Sequence, residues 1–183
     1  MYRDESLVLH YELKQDLDAY LKALPGQPPV RSLADVIAFN KAHAAQEMRW
    51  FGQETFEASV KLDDEAAYRK AREESLRLAG KQGIDKLLAD HDLALLVFPT
   101  ESPAWTVDLI TGDHSLPIGM GSLPAVAGYP HLTVPMGAAE GLPVGLSFVA
   151  GQWQDAKVLE AGAVYERVRS AVLVKPQFKR WGE

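Results

Sequence analysis

The sequence predicts an α/β fold in which helices pack against a mixed β-sheet. Three observations lead to this class: helical periodicity dominates residues 1–92, strands enter in residues 93–183, and a continuous apolar run, Leu93–Phe98, marks the change. Three clear strands are few for so many helices, because a natural sheet usually holds about 4–6 strands. Either neighbouring strands lie outside this sequence, or strands within it escape recognition.

The N-terminal part is predicted to begin with a short strand and to continue as a helix. Apolar residues favour the strand Glu5–His10, and leucines recurring at spacings of three and four favour the helix Glu12–Ala23. Ser32 is expected to cap the next helix, because its hydroxyl can accept from an exposed amide of the first turn. Asp35 is expected to answer the N–H of that cap, and the apolar face continues to about Gln46.

Three further helices are predicted before the first long strand. A short one covers Gln53–Ser59, and a long one starts at Asp63 and Asp64, whose charges favour the positive end of the helix dipole. Gly80 and Gly83 are expected to break the long helix. A second short amphipathic helix then ends at His91, where a cation-capable side chain favours the carbonyl end.

The strand-forming part opens with the apolar run Leu93–Phe98, which suits a strand covered on both faces. Two more strands are predicted at His131–Met136 and Val144–Ala150, and the short link between them favours an antiparallel pair. Pro135 lacks a donor for the ladder, so it should face an edge or a bulge. The remaining predicted elements are a helix after Asp155 and an irregular tail, QFKRWGE.

The long segment 99–121 has no periodicity and is rich in glycine and proline. Structureless loops of this length are uncommon in compact domains and often carry function. An irregular segment beside strand ends is also where pockets are commonly built. The candidate pocket contacts are therefore polar and aromatic side chains of this loop, namely Trp105, Asp108, Asp113 and His114.

Asp113 and His114 allow two interpretations. A carboxylate beside an imidazole can set its tautomer and raise its basicity as a general base. Alternatively, the sequence TGDHS is a turn in which Asp113 bonds its own backbone. The turn is the favoured interpretation, and both can hold together.

Composition and motifs argue against several classes of function. A net charge of −6 and a pI near 5.4 argue against a nucleic-acid-binding surface, which needs clustered lysine and arginine. The absence of cysteine excludes disulfides and thiolate metal sites, and no organic cofactor is implied. His43 and Glu47 share a helix face, but without a third ligand a solvated face is favoured over a metal site. No apolar run approaches the roughly 18 residues that span a bilayer.

A complete Ser-His-Asp site is not favoured either. No serine lies in the G-x-S-x-G turn that exposes such a nucleophile. Ser122 follows Gly121 at the start of a predicted short helix, Ser122–Ala127, and is expected to be its N-cap. His131 begins a strand, where a hydrogen-bonded core or rim histidine is the simplest expectation.

Four segments carry a family resemblance. The sequences GSLPAVAGYPHLTVPMG and LPVGLSFVAG, with the helix that follows, resemble the C-terminal part of amidase signature enzymes. Two earlier segments, RSLADVIAFNKAHAAQEMRWFGQETF and IDKLLADHDLALLVFPTESPAW, fit the branch that includes peptide amidases. The resemblance covers most of the chain, so residues 1–183 are interpreted as a single C-terminal amidase segment.

The resemblance implies a large α/β/α fold with a mixed central sheet, and hydrolysis of carboxamides by a Ser–cis-Ser–Lys triad. The family's nucleophile lies in a Gly/Ser-rich segment, but this sequence has no Ser-Ser pair, so no catalytic residue is assigned. The catalytic half is expected to lie before Met1, on a longer polypeptide or a separate chain, or to be lost. The isolated segment is therefore predicted to be inactive, with Trp105, Asp108, Asp113 and His114 as substrate-binding residues.

The expected partners are the N-terminal catalytic half and an amide substrate, either a small molecule or a peptide. An alternative is a non-enzymatic truncated module that folds alone or dimerises through an open sheet edge. A complete small hydrolase built from Asp113, His114 and a serine ranks last. No nucleic-acid or membrane partner is expected. A cytoplasmic location is favoured, and any export signal would precede Met1.

Overall fold

The computed structural model describes residues 2–119 and 121–173, which form two compact units divided between Ser75 and Leu76. Helices make up the first unit, and the second combines helices with a small sheet. The predicted irregular tail, residues 177–183, lies outside the described residues. None of the helices within the described ranges is long and apolar enough to cross a membrane.

The first unit is built from helices. They are α1 (Tyr2–Ala23), α2 (Leu33–Ala42), α3 (Ala44–Glu47), α4 (Glu54–Ser59) and α5 (Glu65–Leu76), the last of which reaches the boundary. Because α1 is continuous, the predicted strand Glu5–His10 is wrong. The segment has no glycine or proline to interrupt a helix, and Asp4 and Glu5 in its first turn favour the positive end of the dipole.

Polar side chains fix where α2 begins. The Ser32 hydroxyl accepts from the backbone N–H of Asp35 at 3.1 Å, which confirms the predicted cap. The Asp35 carboxylate accepts from the N–H of Arg31 at 2.9 Å, and the backbone N–H of Ser32 contributes a weaker interaction with it, in the sense predicted. The bond from Arg31, and next the bond with Ser32, hold the pKa of Asp35 below its ordinary value. Asp18 of α1 accepts from the N–H of Leu33 at 2.7 Å and so joins α1 to α2.

The other boundaries of the first unit follow local signals. The helix predicted to continue to Gln46 is divided at His43, which separates α2 from α3. The predicted short helix is confirmed as α4, with Gln53 as its N-cap. The Asp64 carboxylate accepts from the N–H of Ala67 at 2.9 Å, so the predicted start of α5 is confirmed as well.

The second unit contains a π-helix and a three-stranded sheet. Its elements are the π-helix (Arg77–Ile84), α6 (Asp85–Asp90), β1 (Leu96–Pro99), α7 (Ser122–Ala127), β2 (His131–Ala139), β3 (Leu142–Val149) and α8 (Asp155–Val168). The short helix predicted to end at His91 is confirmed as α6, for which His91 is the C-cap. The helix predicted after Asp155 is confirmed as α8, which begins at Asp155 itself.

Gly80 and Gly83 do not break the helix, because the chain continues through the π-helix into α6. A Cβ at Gly80 would meet Tyr129 Oη at 3.1 Å, and a Cβ at Gly83 would meet the carbonyl oxygen of Leu78 at 2.7 Å. Both glycines therefore permit close packing around a wide helical turn, and the prediction that they act as breakers is wrong.

The sheet has the order β1-β3-β2, and both strand pairs are antiparallel. The predicted hairpin is confirmed, since β2 and β3 are joined at Glu140 and Gly141, whose positive φ angles of 50° and 82° suit a tight turn. Pro135 lies on the outer strand β2, next to an irregularity between Pro135 and Gly137, as predicted. No parallel pair of the expected mixed sheet occurs within residues 2–119 and 121–173.

Each face of the sheet carries its own apolar cluster. Val134 and Phe148 pack with Val158 of α8 on one face. Val149 packs with Ile84 of the π-helix on the other face. Helices on both sides of a small antiparallel sheet agree with the α/β class that the sequence predicts.

The first strand is shorter and more exposed than predicted. It begins at Leu96 rather than Leu93, and it occupies an outer position in the sheet. Val97 and Phe98 are 49% and 42% exposed, so the expectation of a strand covered on both faces is wrong for this chain. The apolar run has the sequence of an inner strand, but the described residues provide a neighbour on one side alone.

Candidate functional site

The segment between β1 and α7 is anchored at its base. The N–H of Thr100 donates to the carbonyl oxygen of Gly145 at 2.8 Å and extends the pairing with β3 by one residue. Glu101 and Gly119 form an isolated antiparallel bridge. Between these two residues, which delimit what we call the 101–119 loop, the chain has no helix or strand, as the sequence predicts.

Asp108 organises a turn within the 101–119 loop. Its Oδ1 accepts from the N–H of Ile110 at 2.8 Å and from the N–H of Thr111 at 2.9 Å. The N–H of Gly112 donates to the Asp108 carbonyl oxygen at 2.9 Å. The bond from Thr111, followed by that from Ile110, holds the pKa of Asp108 below its ordinary value. The turn that the sequence assigns to Asp113 is therefore made by Asp108.

The remaining candidate residues do not form a catalytic group. His114 Nε2 lies 3.0 Å from Thr111 Oγ1, so the imidazole belongs to the Asp108 turn. Asp113 is exposed, and among the described contacts its carboxylate makes no bond to His114. Trp105 is 40% exposed on the same loop. The structure thus brings His114 close to Asp108 through Thr111, but it does not pair Asp113 with His114 as a base.

A concavity of about 300 Å³ lies at the base of the loop. It is lined by residues from the bridge, from the end of the loop and from the start of α7: Glu101, Leu116, Pro117, Ile118, Gly119, Gly121, Ser122 and Leu123. None of the four candidate residues is in this lining.

Ser122 is the first residue of α7, and Gly121 is the N-cap, so the expectation that Ser122 caps the helix is wrong.

The loop also exposes a run of apolar side chains. Val107, Leu109 and Ile110 are 68%, 68% and 95% exposed. At the base of the loop the Ser102 hydroxyl is buried, and it has no hydrogen-bond partner among the described residues. Exposed apolar clusters commonly mark surfaces that contact a partner or a ligand.

A chain of hydrogen bonds crosses one face of the sheet. His131 Nε2 and Ser147 Oγ lie 2.6 Å apart, and Ser147 Oγ donates to Thr100 Oγ1 at 2.9 Å. The hydroxyl oxygens of Thr100 and Thr133 lie 2.5 Å apart. Gly145 lies between the two threonines, since a Cβ there would meet both hydroxyl oxygens at 2.7 Å. We call these five residues the polar sheet cluster.

The polar sheet cluster is not a nucleophilic site. Ser147 is fully buried and donates its proton to Thr100, so its oxygen is not available to attack a substrate. No carboxylate in the described ranges bonds to His131, which matches the expectation of a hydrogen-bonded rim histidine. The sequence analysis did not predict this cluster. A signal was present, because residues two apart in a strand share a face, as His131 and Thr133 do in β2 and Gly145 and Ser147 do in β3.

His43 in the first unit makes local contacts as well. His43 Nδ1 lies 2.9 Å from the carbonyl oxygen of Phe39, and the two rings stack at 4.2 Å. Within residues 2–119 and 121–173, no group of three or more histidine, aspartate or glutamate side chains is placed to hold a metal ion. The geometry therefore leaves the 101–119 loop and the adjoining polar sheet cluster as the candidate functional surface.

Comparison with known proteins shows what the chain is similar to. No family model matches the chain. It is 32% identical over 165 residues to a probable amidase of Arabidopsis thaliana, an alignment that covers 89% of this chain and 29% of that protein. The native peptide amidase from Stenotrophomonas maltophilia superposes with a TM-score of 0.86 at 42% identity, covering 97% of this chain and 35% of that one. The chain corresponds to the C-terminal part of amidase signature enzymes.

A further amidase structure agrees with this relationship. An amidase family protein from Bacillus anthracis superposes with a TM-score of 0.75 at 29% identity, covering 92% of this chain and 30% of that one. The resemblance predicted from the sequence is thus confirmed, together with the α/β class. The chain spans between 29% and 35% of the length of these amidases.

Proposed function

We propose that this chain is the C-terminal segment of an enzyme that hydrolyses the C–N bond of a carboxamide. The observation that carries the proposal is the likeness to peptide amidase over nearly the whole chain but only about a third of that enzyme. The nucleophile would then come from an N-terminal catalytic segment. The proposed substrate is a peptide amide or a small carboxamide, and hydrolysis would release ammonia or an amine.

The residues of this chain support the idea that it does not act alone. The sequence contains no Ser-Ser pair, and Ser147, which does contact a histidine, is buried and engaged. Removing the catalytic group of a serine hydrolase costs on the order of a million-fold in turnover. We therefore expect the 183-residue chain to show no enzyme-like amidase activity.

The proposed contribution of this segment is one wall of the substrate pocket. The concavity at the base of the 101–119 loop and the exposed apolar side chains of that loop are suited to contact an amide substrate. Trp105, Asp108, Asp113 and His114 remain the proposed substrate-binding residues. Asp108 would act by holding the loop in its turn, because its carboxylate is occupied by two backbone N–H groups.

A reconstitution assay tests the proposed function. The part of the Stenotrophomonas maltophilia peptide amidase that lies outside its match to this chain serves as the complementary amidase segment. Ammonia release from a peptide amide is measured for each piece alone and for the mixture. We expect turnover only in the mixture. Robust turnover by the 183-residue chain alone, retained through several purification steps, would overturn the proposal.

Substitutions in the 101–119 loop test the proposed pocket wall in the active mixture. Asp108→Asn keeps an oxygen that can accept from Ile110 and Thr111, whereas Asp108→Ala removes it. We expect Asp108→Ala to raise KM, and Asp108→Asn to stay within a few-fold of wild type. Trp105→Ala should raise KM, because the exposed 40% of Trp105 is available to contact a substrate. Unchanged KM for both Asp108→Ala and Trp105→Ala would remove the loop from the substrate site.

A further inference from the structure

The protons of the polar sheet cluster can be assigned along its hydrogen bonds. A serine hydroxyl holds one proton, and Ser147 donates its proton to Thr100 Oγ1 at 2.9 Å. The 2.6 Å contact between Ser147 Oγ and His131 Nε2 therefore takes its proton from the imidazole. The hydrogen bonds thus run in one direction, from His131 through Ser147 to Thr100.

This assignment leaves one threonine proton without an acceptor inside the cluster. The hydroxyl oxygens of Thr100 and Thr133 lie 2.5 Å apart and share one hydrogen bond. The two hydroxyls hold two protons, of which this bond uses one. Thr100 already accepts from Ser147 and is half-buried, whereas Thr133 is exposed. Thr100 therefore donates to Thr133, and the proton of Thr133 is left to bond outside the cluster.

The structure holds this outward hydroxyl in place. Ser147, which begins the hydroxyl series, is fully buried. Gly145 has no Cβ, and this lets the hydroxyls of Thr100 and Thr133 approach each other across β3. Threonine is also stiff at χ1, because its Cβ carries two heavy atoms. A donor that is fixed before binding loses little conformational freedom when it binds an acceptor.

The outward hydroxyl lies on the face of the sheet that adjoins the concavity at the base of the 101–119 loop. Thr133 pairs with Ser147, so their side chains share a face, and Val149, two residues further along β3, shares it as well. Val149 belongs to the apolar cluster against which Leu123 packs. Leu123 lines the concavity.

Thr100 and Glu101 connect the cluster to this concavity. A Cβ at Gly119, which is in the lining, would meet the carbonyl oxygen of Thr100 at 3.1 Å. Glu101 also lines the concavity, and its Oε1 accepts from the N–H of Ser102 at 3.0 Å. Its Oε2 accepts no hydrogen bond among the described residues. The same region therefore offers one acceptor, from Glu101, and one donor, from Thr133.

We propose that Thr133 donates a hydrogen bond to a backbone carbonyl oxygen of the substrate, and that the amidase thereby favours amides that contain a peptide unit. This inference rests on the proposed function, and it adds a contact residue and a substrate class. A peptide unit has one N–H and one carbonyl oxygen, which the Glu101 carboxylate and the Thr133 hydroxyl complement. A simple carboxamide has no carbonyl besides the one that is attacked.

Nitrogen NMR of the His131 imidazole tests the proton assignment in the 183-residue chain alone. At about pH 9, where imidazoles are ordinarily neutral, Nε2 should carry the proton and Nδ1 should carry none. Ser147→Ala removes the acceptor, so the ring should then populate both neutral forms. A wild-type ring protonated at Nδ1 instead would reverse the direction of the hydrogen bonds and overturn the inference.

Kinetics in the active mixture with the complementary amidase segment tests the contact. N-acetylphenylalanine amide contains a peptide unit, and 3-phenylpropanamide is the same molecule without it. Thr133→Val removes the hydroxyl at similar volume and should raise KM for the acetylated amide about fivefold, as loss of one hydrogen bond does, with kcat unchanged. KM for 3-phenylpropanamide should change less than about twofold.

Two further variants serve as controls for this measurement. Thr133→Ser keeps a hydroxyl and should restore most of the affinity for the acetylated amide. Thr55→Val makes the same change at an exposed threonine of α4 and should leave the kinetics of both amides unchanged. Thr133→Val should remain folded, because its position is exposed and valine suits a strand.

The outcomes separate this inference from the proposed function. An active mixture in which Thr133→Val changes KM equally for both amides, or for neither, overturns the inference and leaves the proposed function standing. Weaker association of the two segments in Thr133→Val, without a change in selectivity, assigns the proton to their interface and also overturns it.

If the mixture hydrolyses neither amide, titration of the 183-residue chain decides the matter. Each amide is added separately, and the methyl signals of Thr100 and Thr133 are followed by NMR. Shifts caused by N-acetylphenylalanine amide but not by 3-phenylpropanamide support the contact, while the absence of turnover counts against the proposed function. Equal shifts with both amides, or no shift with either, overturn the inference.

Discussion

The hydroxyls of Thr100 and Thr133 leave no room for a side chain at Gly145. A Cβ at that position would lie 2.7 Å from both oxygens, closer than folded proteins allow. Relieving the clash would push apart β1 and β2, between which β3 is held. Close packing of this kind resists even one added carbon.

We expect Gly145→Ala to lower the free energy of unfolding by about 1–3 kcal/mol, as overpacking commonly does. Gly121→Ala is the matched control, because its φ angle is −64° and nothing would lie within 4 Å of the new Cβ. Urea unfolding followed by circular dichroism measures both variants. Equal stability of the two would show that the threonines move aside at little cost.

Tyr129 makes the stability of the second unit depend on pH in the alkaline range. Its hydroxyl donates to Asp85 Oδ2 at 2.7 Å. Burial, and next this hydrogen bond, raises the pKa of Tyr129 to about 12. An unfolded tyrosine titrates near pH 10, so the folded state keeps the proton more tightly. The stabilisation is therefore complete below about pH 10 and is lost as the pH rises toward 12.

Tyr129→Phe should flatten the fall in unfolding free energy between about pH 10 and pH 12. At neutral pH it should cost about 1 kcal/mol, because the Asp85 carboxylate loses its donor. Urea unfolding at a series of pH values measures both effects. Tyr20→Phe, at a side chain that is 62% exposed, is the control and should keep the wild-type unfolding free energy at neutral pH. If the unfolding free energy of Tyr129→Phe fell with pH as steeply as that of the wild type, the bond to Asp85 would not be the cause of the pH dependence.

Among the elements, α2 begins at a side-chain cap that a substitution can test. The Ser32 hydroxyl satisfies the N–H of Asp35, and the fully buried Leu33 follows immediately. We expect Ser32→Ala to destabilise the first unit by about 1 kcal/mol and Ser32→Asn to restore most of the loss, since asparagine is also a good N-cap. Ser170→Ala, at an exposed position, is the control in thermal unfolding. A loss that Ser32→Asn fails to restore would assign the effect to packing instead of capping.

The elements that were predicted correctly are those whose sequence signals span only a few neighbouring residues. The cap at Ser32, the antiparallel pairing of β2 with β3, and the helix end at His91 each depend on neighbours in the chain. The strand predicted at Glu5–His10 failed because a short apolar run fits a helix as well as a strand. Periodicity over so few residues cannot separate the two.

The remaining errors come from contacts that are distant in the sequence or absent from this chain. Gly80 stays within a helix because it packs against Tyr129, which follows it by almost fifty residues. The apolar run ending at Phe98 predicts a covered strand, but the described residues cover it only in part. In the 101–119 loop, Asp108 and Asp113 are equivalent as sequence signals, but the structure has Asp108 accepting from Ile110 and Thr111.

For the whole molecule, the exposed apolar side chains of the 101–119 loop have a measurable consequence. Val107, Leu109 and Ile110 are each more than half exposed within four residues of sequence. A net charge of −6 opposes their burial by self-association. Clustered apolar surface of this kind binds hydrophobic dyes in the native state. We therefore expect the folded 183-residue chain to enhance the fluorescence of such a dye.

Substituting both Leu109→Ser and Ile110→Ser should lower this dye fluorescence by about half or more, because the pair holds much of the exposed apolar surface of the loop. Val172→Ser, at a side chain that is 85% exposed outside the loop, should change it little. The unfolding free energies of the variants should agree within about 0.5 kcal/mol, as is usual for exposed positions. A wild-type chain that is monomeric by sedimentation and yet binds no dye would show that the loop presents no apolar surface. The proposed contact of the loop with a substrate would then lose its physical basis.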